Sequence, residues 1–71
     1  MLKDGDIVKI KSLEQYEEDG DEITELIEKF AGQKVRVLRV YPQENHFTAI
    51  NEKIGTCSFN FDEVGSTLND N

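Results

Sequence analysis

The chain has 71 residues, a formal net charge of −7, one cysteine and one histidine. This length gives a single domain, close to the smallest size at which an apolar core is stable without cross-links. Because Cys57 is the only cysteine, the chain has no internal disulfide. Cys57 and His46 together are too few for a zinc site, which needs roughly four ligands. No apolar run is long enough to span a membrane. An unpaired cysteine and the lack of a signal-peptide pattern at the start predict a soluble cytoplasmic protein.

The first strand is predicted directly after a turn at Asp4-Gly5-Asp6. In "IVKIK", Val8 and Ile10 are expected to face inward, between the outward-facing Lys9 and Lys11. The alternation of apolar and basic residues is typical of a strand with one face buried.

An acidic excursion, residues 12–32, follows this strand. Its central part, residues 14–28, contains eight acidic residues and no basic one. We interpret it as a solvated surface that repels nucleic acid and anionic lipid, with a functional acidic surface as the alternative. An apolar stripe with helical spacing predicts one short helix over about residues 22–31, capped by Asp21 and closed by Gly32. The stripe consists of Ile23, Leu26, Ile27 and Phe30.

Three further strands are predicted after the excursion. "QKVRVLRVY" is ended by Pro42, and because Val40 is out of phase with Val35 and Val37, we expect a β-bulge near Leu38 and Arg39. "HFTAIN" and "TCSFNF" are the next two strands, and a one-turn closure follows at residues 62–64. Residues 65–71 show no pattern and are expected to form a flexible C-terminal tail.

This order of elements predicts a mainly β protein. We expect a small SH3-like barrel of about five strands, with one short helix in the long loop after the first strand. The predicted domain spans residues 1–64.

Three segments carry a resemblance to a known family. "LKDGDIVKIKS", "FAGQKVRVLRVY" and "CSFNFDEV" look like the opening, middle and closing strands of small SH3-like proteins from bacteria and phages. Over residues 2–64 the chain resembles the YorP family of prophage-encoded bacterial proteins. The resemblance implies an SH3-like barrel and a prophage origin, and it implies no activity. The opening "GDIVKI" is also similar to ribosomal and transcription-factor barrels that bind RNA, but this chain lacks their dense basic patch.

Two residues were considered for catalysis, Cys57 and His46. Cys57 lies on the apolar side of its strand, where burial suppresses the thiolate, so we interpret it as a core cysteine. His46 begins the strand expected to pair with that of Cys57, and we interpret it as solvent-exposed. The alternative, a Cys–His dyad, is weaker because contact across a hairpin arises without function. We therefore predict no enzyme and no cofactor.

The spacing of four acidic residues in the excursion is similar to that of an EF-hand calcium loop. The acids at its positions 1, 3, 5 and 12 are Glu17, Asp19, Asp21 and Glu28. Position 6, where the sharp turn needs glycine, is Glu22, so we predict no calcium site.

The basic residues of the strands form a potential strip. It comprises Lys9, Lys11, Lys34, Arg36 and Arg39. We expect these side chains to pair with carboxylates of the acidic excursion, which argues against nucleic-acid binding.

We therefore predict a non-enzymatic protein-interaction module. Its partner is expected to be a phage- or host-encoded protein rather than nucleic acid or membrane, and the chain itself a monomer. The candidate contact residues are Tyr16, Asp19, Asp21, Arg36, Arg39 and Tyr41. The alternatives are an acidic mimic of nucleic acid and a weak nucleic-acid-binding barrel. Segregated charges would favour these alternatives, and intermixed charges would favour a protein partner.

Overall fold

The structure is a computed structural model that describes residues 2–68. It contains five strands, two short α-helices and two 3₁₀ turns. The strands are β1 (Ile7–Ile10), β2 (Lys34–Tyr41), β3 (His46–Asn51), β4 (Gly55–Asn60) and β5 (Val64–Thr67). The helices are α1 (Leu13–Glu18) and α2 (Glu25–Phe30), and the 3₁₀ turns are Pro42–Glu44 and Phe61–Glu63.

All five strands belong to one antiparallel sheet in the order β4-β3-β2-β1-β5. The sheet curls into a half-barrel, which together with the short helices is consistent with a small SH3-like barrel. The predicted fold class is confirmed, as are the bounds of the "HFTAIN" strand.

The inner face of the curled sheet holds the core. Its side chains alternate along each strand with outward-facing ones, as the sequence pattern predicts. The fully or almost fully buried apolar residues are Val8, Ile10, Tyr16, Phe30, Val35, Val37, Phe47, Ala49 and Phe59. Phe30 of α2 meets Phe59 of β4 edge to face with ring centroids 5.2 Å apart. The helices of the acidic excursion therefore pack on the inner side of the sheet.

A β-bulge in β2 keeps three valines on the inner side. Val37 is paired with Ala49 and Arg39 with Thr48, so Leu38 is the extra residue between them. The bulge predicted near Leu38 is confirmed. It reverses the phase of the strand, so that Val40 packs against the core and Arg39 faces outward.

The acidic excursion contains two helices rather than the single one predicted over residues 22–31. The missed helix, α1, begins after Ser12, whose side chain and that of Gln15 form a reciprocal capping box. The predicted helix is shorter, and Thr24 rather than Asp21 caps it through the backbone N–H of Ile27. Asp21 is not available as a cap because its carboxylate faces Lys11.

Two further expectations about the chain after β1 need correction. Leu26 does not belong to the buried stripe, because it is 49% exposed. The boundary predicted at residue 64 is wrong as well, because Val64–Thr67 form β5 and pair with β1. Of the predicted tail, residues 69–71 lie outside the described residues.

Candidate functional site: the outer face of the sheet

The outer face of the sheet is basic. Within residues 2–68, no strand contains an aspartate or a glutamate, although the whole chain has fifteen. The charged side chains of the strands are those of Lys9, Lys34, Arg36 and Arg39, and all four are exposed. Lys9 is paired in register with Lys34, and the alternation along β2 places Arg36 and Arg39 on the same face. We call this surface, with Tyr41 and His46, the outer basic face.

An aromatic pair lies at one end of the outer basic face. Tyr41 and His46 are register partners across β2 and β3, and their rings stack with centroids 4.8 Å apart and an angle of 24°. The guanidinium carbon of Arg39 lies 5.6 Å from the centroid of the Tyr41 ring, within the range of a cation–π contact. His46 is half-buried by this stack, so the expectation of a solvent-exposed histidine needs correction.

The four outer bases differ from Lys11 in their electrostatic surroundings. Between residues 2 and 68, the only ion pairs within 4 Å are those of Lys11, so the expected pairing with the acidic excursion is wrong for the other four. Lys9 and Lys34 also line a polar hollow of about 440 Å³ with Lys53 and Glu52, so this end of the surface has three lysines and one carboxylate.

Lys11 is instead part of a buried structural cluster. It is only 5% exposed, its Nζ lies 2.5 Å from Oδ2 of Asp19 and 3.4 Å from Oδ2 of Asp21, and it sits 4.7 Å above the Tyr16 ring. The bond to Asp19 is the main reason why the pKa of Lys11 is raised above its usual range, against the opposing effect of burial. The predicted basic strip therefore loses Lys11, because its side chain is buried and held by Asp19 and Asp21 of the excursion.

Three of the predicted contact residues make contacts within the fold: Tyr16 is buried, whereas Asp19 and Asp21 hold Lys11 with about half of each side chain exposed. Tyr16 is 1% exposed, and its hydroxyl donates a hydrogen bond to Oε2 of Glu63 at 2.9 Å. Burial, followed by this bond, raises the pKa of Tyr16 far above its usual range. Asp19 and Asp21 hold Lys11. The other three, Arg36, Arg39 and Tyr41, come together on the outer basic face.

The Cys–His dyad is not assembled. Cys57 is paired in register with Ala49 on the inner side, whereas His46 is paired with Asn60 on the outer side, three positions along β4. Cys57 packs against the core but is only half-buried, in a shallow pocket of about 210 Å³ between α2 and β4. Burial raises the pKa of its thiol, which disfavours the thiolate.

Two further findings concern metal binding and the membrane. No group of three or more histidine, cysteine, aspartate or glutamate side chains in residues 2–68 is placed to hold a metal ion. Neither six-residue helix in that range is long and apolar enough to cross a membrane.

Comparison with models of protein families, with known proteins and with solved structures finds no match to this chain. The outer basic face is therefore interpreted from its own chemistry.

Proposed function

We propose that the protein is a non-enzymatic interaction module that binds an anionic macromolecular partner through the outer basic face. The observation that carries the proposal is the composition of this face. Arg36 and Arg39 are exposed and have no ion-pair partner within residues 2–68, and they lie beside a stacked Tyr41–His46 pair. Arginine and tyrosine are enriched among the residues that dominate binding energy at protein interfaces.

The proposal includes a phage- or host-encoded partner in a reducing cytoplasm. The resemblance to prophage-encoded SH3-like proteins supports this origin, and the half-buried, unpaired Cys57 is compatible with a reducing compartment. A protein partner would present acidic side chains to the outer basic face, since complementary charge steers association and fixes orientation. A fold alone does not determine function, so the charged face carries the argument.

A second candidate, nucleic acid, is favoured by the separation of charge. The acidic excursion packs on the inner side of the sheet, through Phe30 and Phe59, while the exposed bases of the strands lie on the outer side. The acids of the excursion are thus segregated from the exposed bases of the strands. The expected neutralisation of the bases, which argued against nucleic acid, applies to only one of the five: Lys11 alone has a carboxylate within 4 Å among residues 2–68.

Affinity capture with matched variants tests the proposal. The wild-type chain, Arg36→Gln with Arg39→Gln, and Lys3→Gln with Lys29→Gln are each immobilised and exposed to host lysate, with and without nuclease. Both double variants remove two positive charges from exposed residues, but only the first removes them from the outer basic face. We expect the first pair to abolish capture and the second to retain it. Equal capture by all three proteins would contradict the proposal.

A further inference from the structure

We infer that the anionic partner of the outer basic face is a single-stranded nucleic acid. This inference rests on the proposed function and specifies its ligand. Three features of the face bear on the choice of ligand: exposed cations, stacked planar groups, and the position of the acidic excursion.

The exposed cations supply the contacts to phosphate. Lys9 and Lys34 lie side by side in register, and Arg36 and Arg39 continue the row along β2. No carboxylate within 4 Å neutralises any of the four among the described residues. A row of bases without ion pairs on two adjacent strands suits a polyanion, whose binding is driven by the release of counterions.

The planar groups supply the contacts to bases. Tyr41 and His46 are stacked at 4.8 Å, and the guanidinium of Arg39 lies 5.6 Å from the Tyr41 centroid. Nucleic-acid bases stack on aromatic rings and on arginine planes, and this combination with a positive surface is characteristic of proteins that bind single strands. An acidic peptide would use the cations but has no need of the stack.

The rest of the face suits a sugar–phosphate chain. The outward positions of β3 and β4 carry Ile50 and several small polar side chains, and those beside the aromatic pair are Thr48, Ser58 and Asn60. Hydroxyl and amide groups commonly bind phosphate and sugar oxygens. The face is the broad side of a five-stranded sheet without a projecting helix, and a flexible single strand is able to lie along it.

The acidic excursion does not cancel the attraction at physiological salt. The molecule measures 29 × 28 × 21 Å, and the excursion lies on the inner side of the sheet. Charges on opposite sides are then separated by roughly two Debye lengths, since this length is about 8 Å at 0.15 M ionic strength. The net charge of −7 does disfavour nucleic acid in very dilute salt, where screening is weak. The charge of the face, rather than that of the whole chain, determines binding near physiological salt.

Fluorescence anisotropy with defined probes tests the inference. The probes are labelled single-stranded DNA and RNA of about 12 nucleotides, the corresponding duplex, and a poly-glutamate peptide of matched charge. We expect the single strands to bind with a Kd of about 10⁻⁶ to 10⁻⁴ M and more tightly than the duplex and the peptide. Four phosphate contacts predict a slope of about −3 for log K against log salt above physiological salt.

Variants and amide shifts locate the site. Arg36→Gln with Arg39→Gln should reduce the slope to about half, whereas Lys3→Gln with Lys29→Gln should leave it unchanged. Tyr41→Leu, which keeps the apolar bulk, should weaken single-strand binding by about fivefold or more with little change in slope. Backbone amide shifts of the native protein should map to β2, β3 and β4, and this measurement does not depend on the folding of any variant.

The outcomes separate the two proposals. If poly-glutamate binds through Arg36 and Arg39 and the single strands do not, the ligand is wrong and the proposed interaction face stands. Duplex binding as tight as single-strand binding, or indifference to Tyr41→Leu, would overturn the single-strand inference. If no probe shifts the amides of the outer basic face at about 10⁻⁴ M, the inference is refuted; loss of capture by Arg36→Gln with Arg39→Gln would then still support the interaction face.

Discussion

The hydroxyl of Tyr16 donates a hydrogen bond to Oε2 of Glu63, at 2.9 Å. The two residues are 47 positions apart, and their bond joins α1 to the 3₁₀ turn that leads into β5. The other carboxylate oxygen of Glu63 accepts the backbone N–H of Asn60 at 3.2 Å. One carboxylate thus connects the acidic excursion to the closing segment of the sheet.

Removal of this hydroxyl should destabilise the fold. Tyr16→Phe leaves a carboxylate without its donor, and we expect the free energy of unfolding to fall by about 1.5–3 kcal/mol. Tyr41→Phe is the matched control, because no hydrogen bond of the Tyr41 hydroxyl is present in residues 2–68, and it should change stability by less than about 0.5 kcal/mol. Urea unfolding measures both, and equal effects would contradict the assigned role.

Stability should also decline in alkali. The pKa of Tyr16 is raised in the fold, chiefly by burial, and that of Lys11 is raised, chiefly by Asp19. A group whose pKa is higher in the folded than in the unfolded state contributes its full stabilisation below the unfolded pKa, which is about 10 for both tyrosine and lysine. This stabilisation is lost as the pH rises above that value. Urea unfolding between about pH 8 and pH 12 should show this loss, and Tyr16→Phe should make it shallower. A flat profile for the wild type would refute the prediction.

The Lys11 cluster should depend on its carboxylates. Asp19→Asn with Asp21→Asn leaves the ammonium buried without a counter-ion, and we expect a loss of about 1–3 kcal/mol, limited by the half-exposed aspartates. Lys11→Met should cost less, because it removes the charge that needs compensation.

The control for this cluster is Glu17→Gln with Glu18→Gln. It changes the net charge equally, at exposed positions in the last turn of α1, directly before Asp19. We expect little change in the free energy of unfolding. A similar loss for both double variants would mean that overall charge, rather than the Lys11 cluster, controls stability.

Truncation of two apolar residues of α2 should have very different effects on the free energy of unfolding. Phe30 is fully buried against Phe59, so Phe30→Ala should destabilise by about 3–5 kcal/mol. Leu26 is half-exposed, so Leu26→Ala should cost less than about 1 kcal/mol. Chemical denaturation of the two variants compares them directly, and an equal cost would be inconsistent with the docking of α2 through Phe30.

The thiol of Cys57 should react slowly in the folded protein. Burial raises its pKa and reduces the thiolate that attacks a thiol reagent, although the shallow pocket leaves part of the side chain accessible. We expect labelling to be slower than that of free cysteine at neutral pH, to accelerate with rising pH, and to become fast on unfolding. Labelling of the native state at the rate of free cysteine would contradict this.

The pattern of apolar residues was sufficient to predict most of the sheet. The phase change between Val37 and Val40 indicates the bulge at Leu38, and the alternation in "HFTAIN" defines β3. Helix α1 was also predictable, because Ser12 followed by Gln15 three residues later is a capping-box pattern. Residues 65–67 were harder to assign, because β5 has little apolar alternation and forms mainly by pairing with β1.

The candidate site was less predictable, because it depends on tertiary placement. The alternation of β1 predicts that Lys11 faces outward like Lys9. Only the path of the excursion in the folded chain brings Asp19 and Asp21 to Lys11. The burial of Tyr16 likewise depends on Glu63, which is remote in sequence. One signal was readable beforehand: the predicted strands contain arginine and lysine but no acidic residue.

The position of β1 within the sheet has a consequence for the rate of folding. Strands β2, β3 and β4 are joined by short turns and form local hairpins, whereas Val8 of β1 pairs with Val35 on one side and Thr67 on the other. Hairpins form in about 1–10 μs, but closing the long connections to β1 is an entropic barrier that slows folding. The β2–β3–β4 meander is then the natural nucleus, and docking of β1 between β2 and β5 completes the sheet late. Changes in β5 should consequently accelerate unfolding more than they slow folding.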